Sequence, residues 1–158
     1  MTFFTSEFFI QLITSFITPA AFAIIFRVNR RHLVFIAICG ALTYAAYYTL
    51  LFFTKSLFVA AFVSSMATAI YAEVLARLRH APTIIFVLTG IVPTVPGGSL
   101  YRGMRDLLLR NTEQALTHFA TTLEVGIGIA GGIVAVPILL GIVNDFFAKR
   151  KKRKTEQK

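Results

Sequence analysis

Five apolar runs constrain this chain more than any other feature: about Phe8 to Phe26, Leu33 to Phe53, Leu57 to Ala76, Thr83 to about Val95, and about Phe119 to Phe146. A helix needs about 20 such residues to cross the hydrocarbon core of a bilayer. Three runs match that length, the last exceeds it and the fourth falls short. Inside lipid every backbone amide and carbonyl must be bonded within the protein, which makes helices the element of choice. With 56% hydrophobic residues, 15% charged and a mean hydropathy of +0.74, the 158 residues carry too few polar groups to cover a soluble domain. The expected fold is an all-α integral membrane protein of about five transmembrane helices, forming one domain over 1–148 with a basic tail over 149–158. The first run carries a small-residue pattern, Ala21-Phe22-Ala23, but no Lys or Arg precedes it and only Glu7 is charged there. It therefore reads as a retained helix, kinked near Pro19, rather than a signal peptide.

The fourth run stops at Ile91-Val-Pro-Thr-Val-Pro-Gly-Gly-Ser-Leu-Tyr101. Pro93 and Pro96 lack the amide hydrogen that a helix interior needs, and Gly97 and Gly98 admit backbone angles closed to other residues. Freed backbone groups at membrane depth need protein or a water-filled cavity around them, and transporters hold solutes at such half-helices. Gly98 to Gln114 then interleaves Leu100, Met104, Leu107, Leu108 and Leu109 with Arg102, Arg105, Asp106 and Arg110, the pattern of an amphipathic helix lying on the surface or tucked into a vestibule. At four-residue spacings, Asp106 is expected to pair with Arg102 and Arg110.

Lys and Arg set the orientation. With the amino terminus outside, Arg27, Arg30, Arg31, Arg77, Arg79, Lys149, Arg150, Lys151, Lys152, Arg153, Lys154 and Lys158 fall on the cytoplasmic side, against Lys55, Arg102, Arg105 and Arg110 outside. The tail reads as an anchor beside anionic headgroups rather than a nucleic-acid patch, so the net charge of +9 reflects membrane orientation. Cys39 has no partner cysteine, which excludes disulfides and cysteine metal sites. His32, His80 and His118 lie far apart, no nucleophile motif is present, and Pro-Gly-Gly-Ser lacks the ending of a phosphate loop. No enzyme, cofactor or metal centre is expected.

Two charged groups within the runs stand out. Glu73 and Arg77 share a helical face in the order that favours an ion pair, a structural feature at the end of the third run. Glu124 sits among Leu123, Val125, Gly126 and Ile127, where a carboxylate at the bilayer centre would cost about 2.5–3.5 kcal/mol. It is expected either to serve as a substrate or proton site, the coupling acid, or to lie at the interface. Ala60, Ser64, Thr68, Ala72 and Ala76 give the third run a smooth packing face, and Gly128 with Gly132 forms a GxxxG pair, expected to offer surfaces to a partner. Tyr44, Tyr47 and Tyr48 share one side of the second run, as a packed aromatic face or as hydroxyls lining a path.

An odd span number implies that a related second half must run inverted, a recurrent plan in transporters. No repeat is evident within the chain, so that half is expected from another chain or copy. The run Glu73-Val-Leu-Ala-Arg77, then Ala81-Pro82-Thr83, then Val92-Pro93-Thr-Val-Pro96-Gly97-Gly98-Ser-Leu-Tyr101 resembles the threonine/serine exporter family, specifically its small YjjB-like membrane component. The resemblance spans nearly the whole chain and is sharpest at Pro-x-x-Pro-Gly-x-x-x-Tyr. It implies an inner-membrane exporter of small amino acids or dicarboxylates with a larger partner subunit that bears the other five spans and a hydrolase-like amino-terminal portion.

The reading is thus a membrane subunit that exports small zwitterionic or anionic solutes by alternating access, in a homo- or hetero-oligomer. Backbone groups from Pro93 to Gly98 and Ser99 would meet the solute, with Tyr101 and Arg102 at the outer mouth. A scaffold that only assembles its partner, or a passive channel, are the competing readings. For the topology, a reporter active only in the cytoplasm should be active when fused after Lys158 and silent when inserted near Lys55; the opposite pattern would reverse the orientation.

Overall fold

The computed structural model describes the backbone of residues 6–156 and the side chains of residues 9–142, so the side chains of Glu7, Phe8 and the basic run 149–158 lie outside the described residues. The elements in chain order are α1 (Ser6–Ile25), a 3-10 turn at Arg30–His32, α2 (Leu33–Thr54), α3 (Leu57–Arg79), α4 (Thr83–Gly90), a second 3-10 turn at Val92–Thr94, α5 (Gly97–Leu108) and α6 (Thr112–Glu156). No strand occurs among the described residues. Arg30–Thr54, Leu57–Arg79 and Thr112–Ile142 are each long and apolar enough to cross a membrane. The bent pair Thr83–Thr94 and Gly97–Leu108 would make a fourth crossing, and Phe9–Ile25 is a shorter apolar helix. The protein is all-α and multi-pass, and exposed Ile13, Ile17, Phe53, Ile127 and Ile138 suit a lipid surround.

The helices end where sequence chemistry ends them. Arg27, Lys55, His80 and Arg110 adopt left-handed backbone angles, with φ between 50° and 60°, at the carboxyl ends of α1, α2, α3 and α5. A basic side chain there also meets the negative end of the helix dipole. Arg79 lies 4.0 Å over the Phe35 ring, joining the end of α3 to the start of α2.

Helix α3 is the centre of the bundle. Its face of Ala60, Ser64, Thr68, Ala72 and Ala76 is buried, and the Thr68 hydroxyl meets that of Thr43 on α2 at 2.6 Å. The adjacent face takes α6. A Cβ on Gly128 would stand 2.9 Å from the Phe58 carbonyl oxygen, and one on Gly132 would stand 2.1 Å from Ser65 Oγ and 2.3 Å from the Phe62 carbonyl oxygen. The GxxxG pair therefore packs within the chain, not against a partner as the sequence suggested. Because Gly128 meets residues 58–62 and Gly132 meets residues 62–66, α3 and α6 run parallel.

That register has two consequences. Glu124 lies level with Phe58, at the start of α3, and residues 112–123 project roughly 18 Å beyond it at 1.5 Å per residue. Against this projection packs α5: Gly103 leaves room for Phe119 and His118, whose atoms would lie 3.0–3.3 Å from a Cβ there. The amphipathic segment is thus one arm of a helical hairpin. It ends at Leu108 rather than Gln114, because Arg110 turns the chain at φ 60° and Thr112 restarts the helix.

Asp106, expected to pair with Arg102 and Arg110, is buried instead between the hairpin arms. Its Oδ1 accepts from Arg105 Nη2 at 2.9 Å and its Oδ2 stands 3.5 Å from His118 Nε2. Arg102 donates to the Gly98 carbonyl, and Arg110 has left the helix. Four-residue spacing lost to the adjacent Arg105, and burial against α6 leaves Oδ2 without a hydrogen bond.

The tightness of the α3–α6 seam gives a direct test. Gly132→Ala should destabilise the protein by about 1–3 kcal/mol, the usual cost of overpacking, while Gly141→Ala, with nothing within 4 Å of its Cβ, should leave it unchanged. Thermal unfolding in detergent reads both, and equal melting of the two variants would remove the seam from the account.

Candidate functional site

The site begins with a helix that stops halfway. Gly90, the last residue of α4, lies so close to α2 and α3 that a Cβ would stand 2.6 Å from Cys39 Sγ and 3.1 Å from Thr68 Cγ2. Thr68 is the midpoint of α3, so α4 enters from the Arg79 end and ends at mid-depth. Beyond it Pro93 sits in a single 3-10 turn, where Thr94 is buried and its hydroxyl donates to the Ile91 carbonyl at 2.8 Å. Val95 is extended, with ψ 129°, as the residue before a proline tends to be. Pro96 then opens α5, whose axis departs by 53°.

Gly97 and Gly98 do not use their conformational freedom. No glycine among the described residues has positive φ, a Cβ on Gly97 would meet nothing within 4 Å, and one on Gly98 would meet only the Arg102 guanidinium at 3.5 Å. The expectation that these glycines supply backbone angles closed to other residues is corrected: both are ordinary helical residues on an exposed first turn. Tyr101 is 69% exposed on the same helix, and Arg102 is exposed beside it.

A cavity of about 330 Å³ adjoins the break, lined by Gln11, Thr14, Ser15 and Thr18 of α1, Tyr44 of α2 and Pro93. Of the break residues singled out from sequence, Pro93 lines it. Ser99, Tyr101 and Arg102 do not. The α1 residues recur at i, i+3, i+4 and i+7, one face of a helix. That spacing was present in the sequence, as four polar side chains on one stripe of an apolar run, and it is the signal that hydropathy averaging conceals. Pro19 is buried one turn below, where Gly40 admits it: a Cβ on Gly40 would stand 2.1 Å from Pro19 Cγ and 2.7 Å from the Ser15 carbonyl oxygen. Across the cavity the Tyr44 hydroxyl donates to Gln11 Oε1.

The remaining candidates lie apart from this cavity. Glu124 Oε1 accepts from the Phe58 amide at 3.1 Å, and Ser56 Oγ accepts from the Val59 amide at 3.4 Å, so the two side chains share the free amides at the start of α3. A carboxylate there also meets the positive end of the helix dipole. Glu73 binds Arg77 at 3.0 Å through Oε1 and accepts from the Thr83 hydroxyl at 3.0 Å through Oε2, tying α3 to the first residue of α4. Ser64 and Thr68 return their hydroxyls to the Ala61 and Ser64 carbonyls. Among the described residues no group of three or more His, Cys, Asp or Glu could hold a metal ion.

A family model described as "Threonine/Serine exporter, ThrE" matches residues 11–139. A curated protein from Corynebacterium glutamicum named "Threonine/serine exporter" is 26% identical over 148 residues. The match covers 94% of this chain and 28% of that protein's length. No solved structure matches.

The buried carboxylate of the hairpin gives this region its own prediction. Asp106→Leu should cost about 1–3 kcal/mol, because Arg105 loses its acceptor, and it should raise amide hydrogen exchange in α5 without affecting α3. Unchanged exchange in α5 would mean that the apolar contacts of Gly103 and Phe119 alone hold the hairpin.

Proposed function

We propose, since the chain belongs to the threonine/serine exporter family, that it is a membrane component of an exporter of small amino acids, working with a larger partner subunit by alternating access. The observation that carries the reading is the half-helix: α4 ends at mid-depth against Cys39 and Thr68, and the chain resumes only after two prolines and a 53° bend. Interrupted helices at the bilayer midplane are where secondary transporters hold solute and coupling ion, because unwound backbone and helix ends supply polar groups there. The chain spans 28% of the length of the C. glutamicum exporter, and a larger partner subunit is the arrangement that the family resemblance implies. Dicarboxylates form the second solute class of the proposal. The amino terminus would face outward and the basic end of α6 the cytoplasm, across the inner membrane.

Glu124 keeps two roles to be separated. Its bond to the Phe58 amide makes it a cap of α3, and its position in a crossing helix suits a coupling acid. Glu124→Gln preserves an acceptor oxygen and removes the titratable charge. Export of labelled threonine and serine from vesicles holding both subunits measures the difference. Under coupling, Glu124→Gln abolishes the response to an imposed pH gradient while assembly persists; as a cap alone, the variant exports as the wild type does. Pro93→Ala with Pro96→Ala restores two amide hydrogens and should slow export about tenfold or more, equivalent to about 1.4 kcal/mol on the barrier, with insertion retained. Wild-type vesicles that export none of these solutes would overturn the proposal.

A further inference from the structure

We propose that the end of the bundle formed by the α1–α2 and α3–α4 turns is a binding surface for anionic phospholipid headgroups in the leaflet it faces. The surface takes lipid rather than solute, so its test is separate from that of the exporter reading.

Charge is distributed unevenly along the bundle. Val28 from the α1–α2 turn and Ala81 from the α3–α4 turn pack on one cluster built around Ala76 and Phe86, so the two turns sit side by side. Because α6 runs parallel to α3, its carboxyl end extends toward the same end of the bundle. By sequence, the segments that meet there carry twelve Lys and Arg against three acids, Glu73, Asp145 and Glu156. The opposite segments carry four of each sign. The net charge of +9 therefore belongs to one end of the molecule, whichever ion pairs form within it. A concentration of like charge repels itself unless anions lie against it.

The cations of the two turns are Arg27, Arg30, Arg31, Arg77 and Arg79, all arginine, whereas the run 149–158 is mostly lysine. A guanidinium presents a planar fork of donors that matches phosphate oxygens two at a time, which an ammonium cannot do. Arg77 is held by Glu73 at 3.0 Å, while Arg27, Arg30 and Arg31 are exposed. Arg79 lies over the Phe35 ring at 4.0 Å, a contact that uses the face of its guanidinium and not its N–H groups. Apolar side chains flank these cations: Phe26 precedes Arg27, Val34 follows Arg31 by three positions and Leu78 separates Arg77 from Arg79, and they are 57%, 62% and 69% exposed. A free phosphate or a nucleic acid would leave them in water. A phospholipid covers both kinds of group, with its phosphate on the guanidinium forks and its chains on the apolar residues.

The test uses the full chain in nanodiscs of phosphatidylcholine alone or of phosphatidylcholine mixed with phosphatidylglycerol. With the anionic lipid present, amide hydrogen exchange in the wild type should slow in both turns, residues 26–32 and 77–81, and stay unchanged in the α5–α6 turn. Unchanged exchange in the two turns overturns the proposal. Inorganic phosphate added to the phosphatidylcholine discs should give no such protection; if it does, the site takes a free anion and the lipid assignment falls. Arg30→Gln with Arg31→Gln should lower the phosphatidylglycerol that co-purifies from mixed vesicles about tenfold, whereas Lys55→Gln with Arg110→Gln, two charges removed from the other end, should leave it as in the wild type. Full retention in the Arg30 and Arg31 variant assigns the lipid to the run 149–158 and overturns the site, and equal losses in both variants reduce the effect to net charge and overturn it as well. Should the Arg30 and Arg31 variant fail to fold, the exchange measurement on the wild type decides alone.

Discussion

Everything in this bundle is levelled by the contact of α3 with α6. Gly128 and Gly132 bring α6 onto the Phe58 and Phe62 carbonyl oxygens, and neither position has room for a side chain. In lipid, where apolar surface gains little by leaving its surroundings, such backbone approach is the main source of helix association. The contact fixes the two helices in parallel and sets their heights. From that follow Glu124 at the amide end of α3 and the projection of residues 112–123, which gives α5 something to pack on.

The interior polar groups divide along the same frame. Between α2 and α3 the Thr43 and Thr68 hydroxyls meet each other and their own helices, so nothing there is left to bond a solute. Between α3 and α4, Glu73 spends both oxygens on Arg77 and Thr83. In the hairpin, by contrast, Asp106 gives Oδ1 to Arg105 while its buried Oδ2 has no hydrogen bond among the described residues.

How much of this was legible in sequence depended on whether the cause was local. Pro93 and Pro96 interrupt a helix in any surroundings, so the half-helix and its bend could be read directly. Glu73 and Arg77 are neighbours on any helix, and they pair in the structure. Asp106 could not be read the same way, because Arg105 reaches it from the adjacent position and α6 brings His118 to face its other oxygen. Glu124 was placed by its distance along an apolar run, whereas its height is set by the register of α6 on α3. The glycines at 97 and 98 were read from what glycine permits rather than from what the backbone requires, and the backbone there is helical. The polar stripe of α1 was visible at helical spacing but diluted by the apolar residues around it.

Close backbone approach also sets how the remaining helices are held. Helix α6 is locked to α3 by two glycines, and α4 is locked to α2 and α3 at Gly90. Helix α1 seats Pro19 in the notch of Gly40 on α2, and toward its amino terminus the Gln11–Tyr44 hydrogen bond joins the same two helices. A hydrogen bond between side chains contributes about 0.5–1.5 kcal/mol net, well below the cost of parting closely packed helices. The α1–α2 contact therefore draws its strength from the close approach at Gly40 more than from the side-chain hydrogen bond.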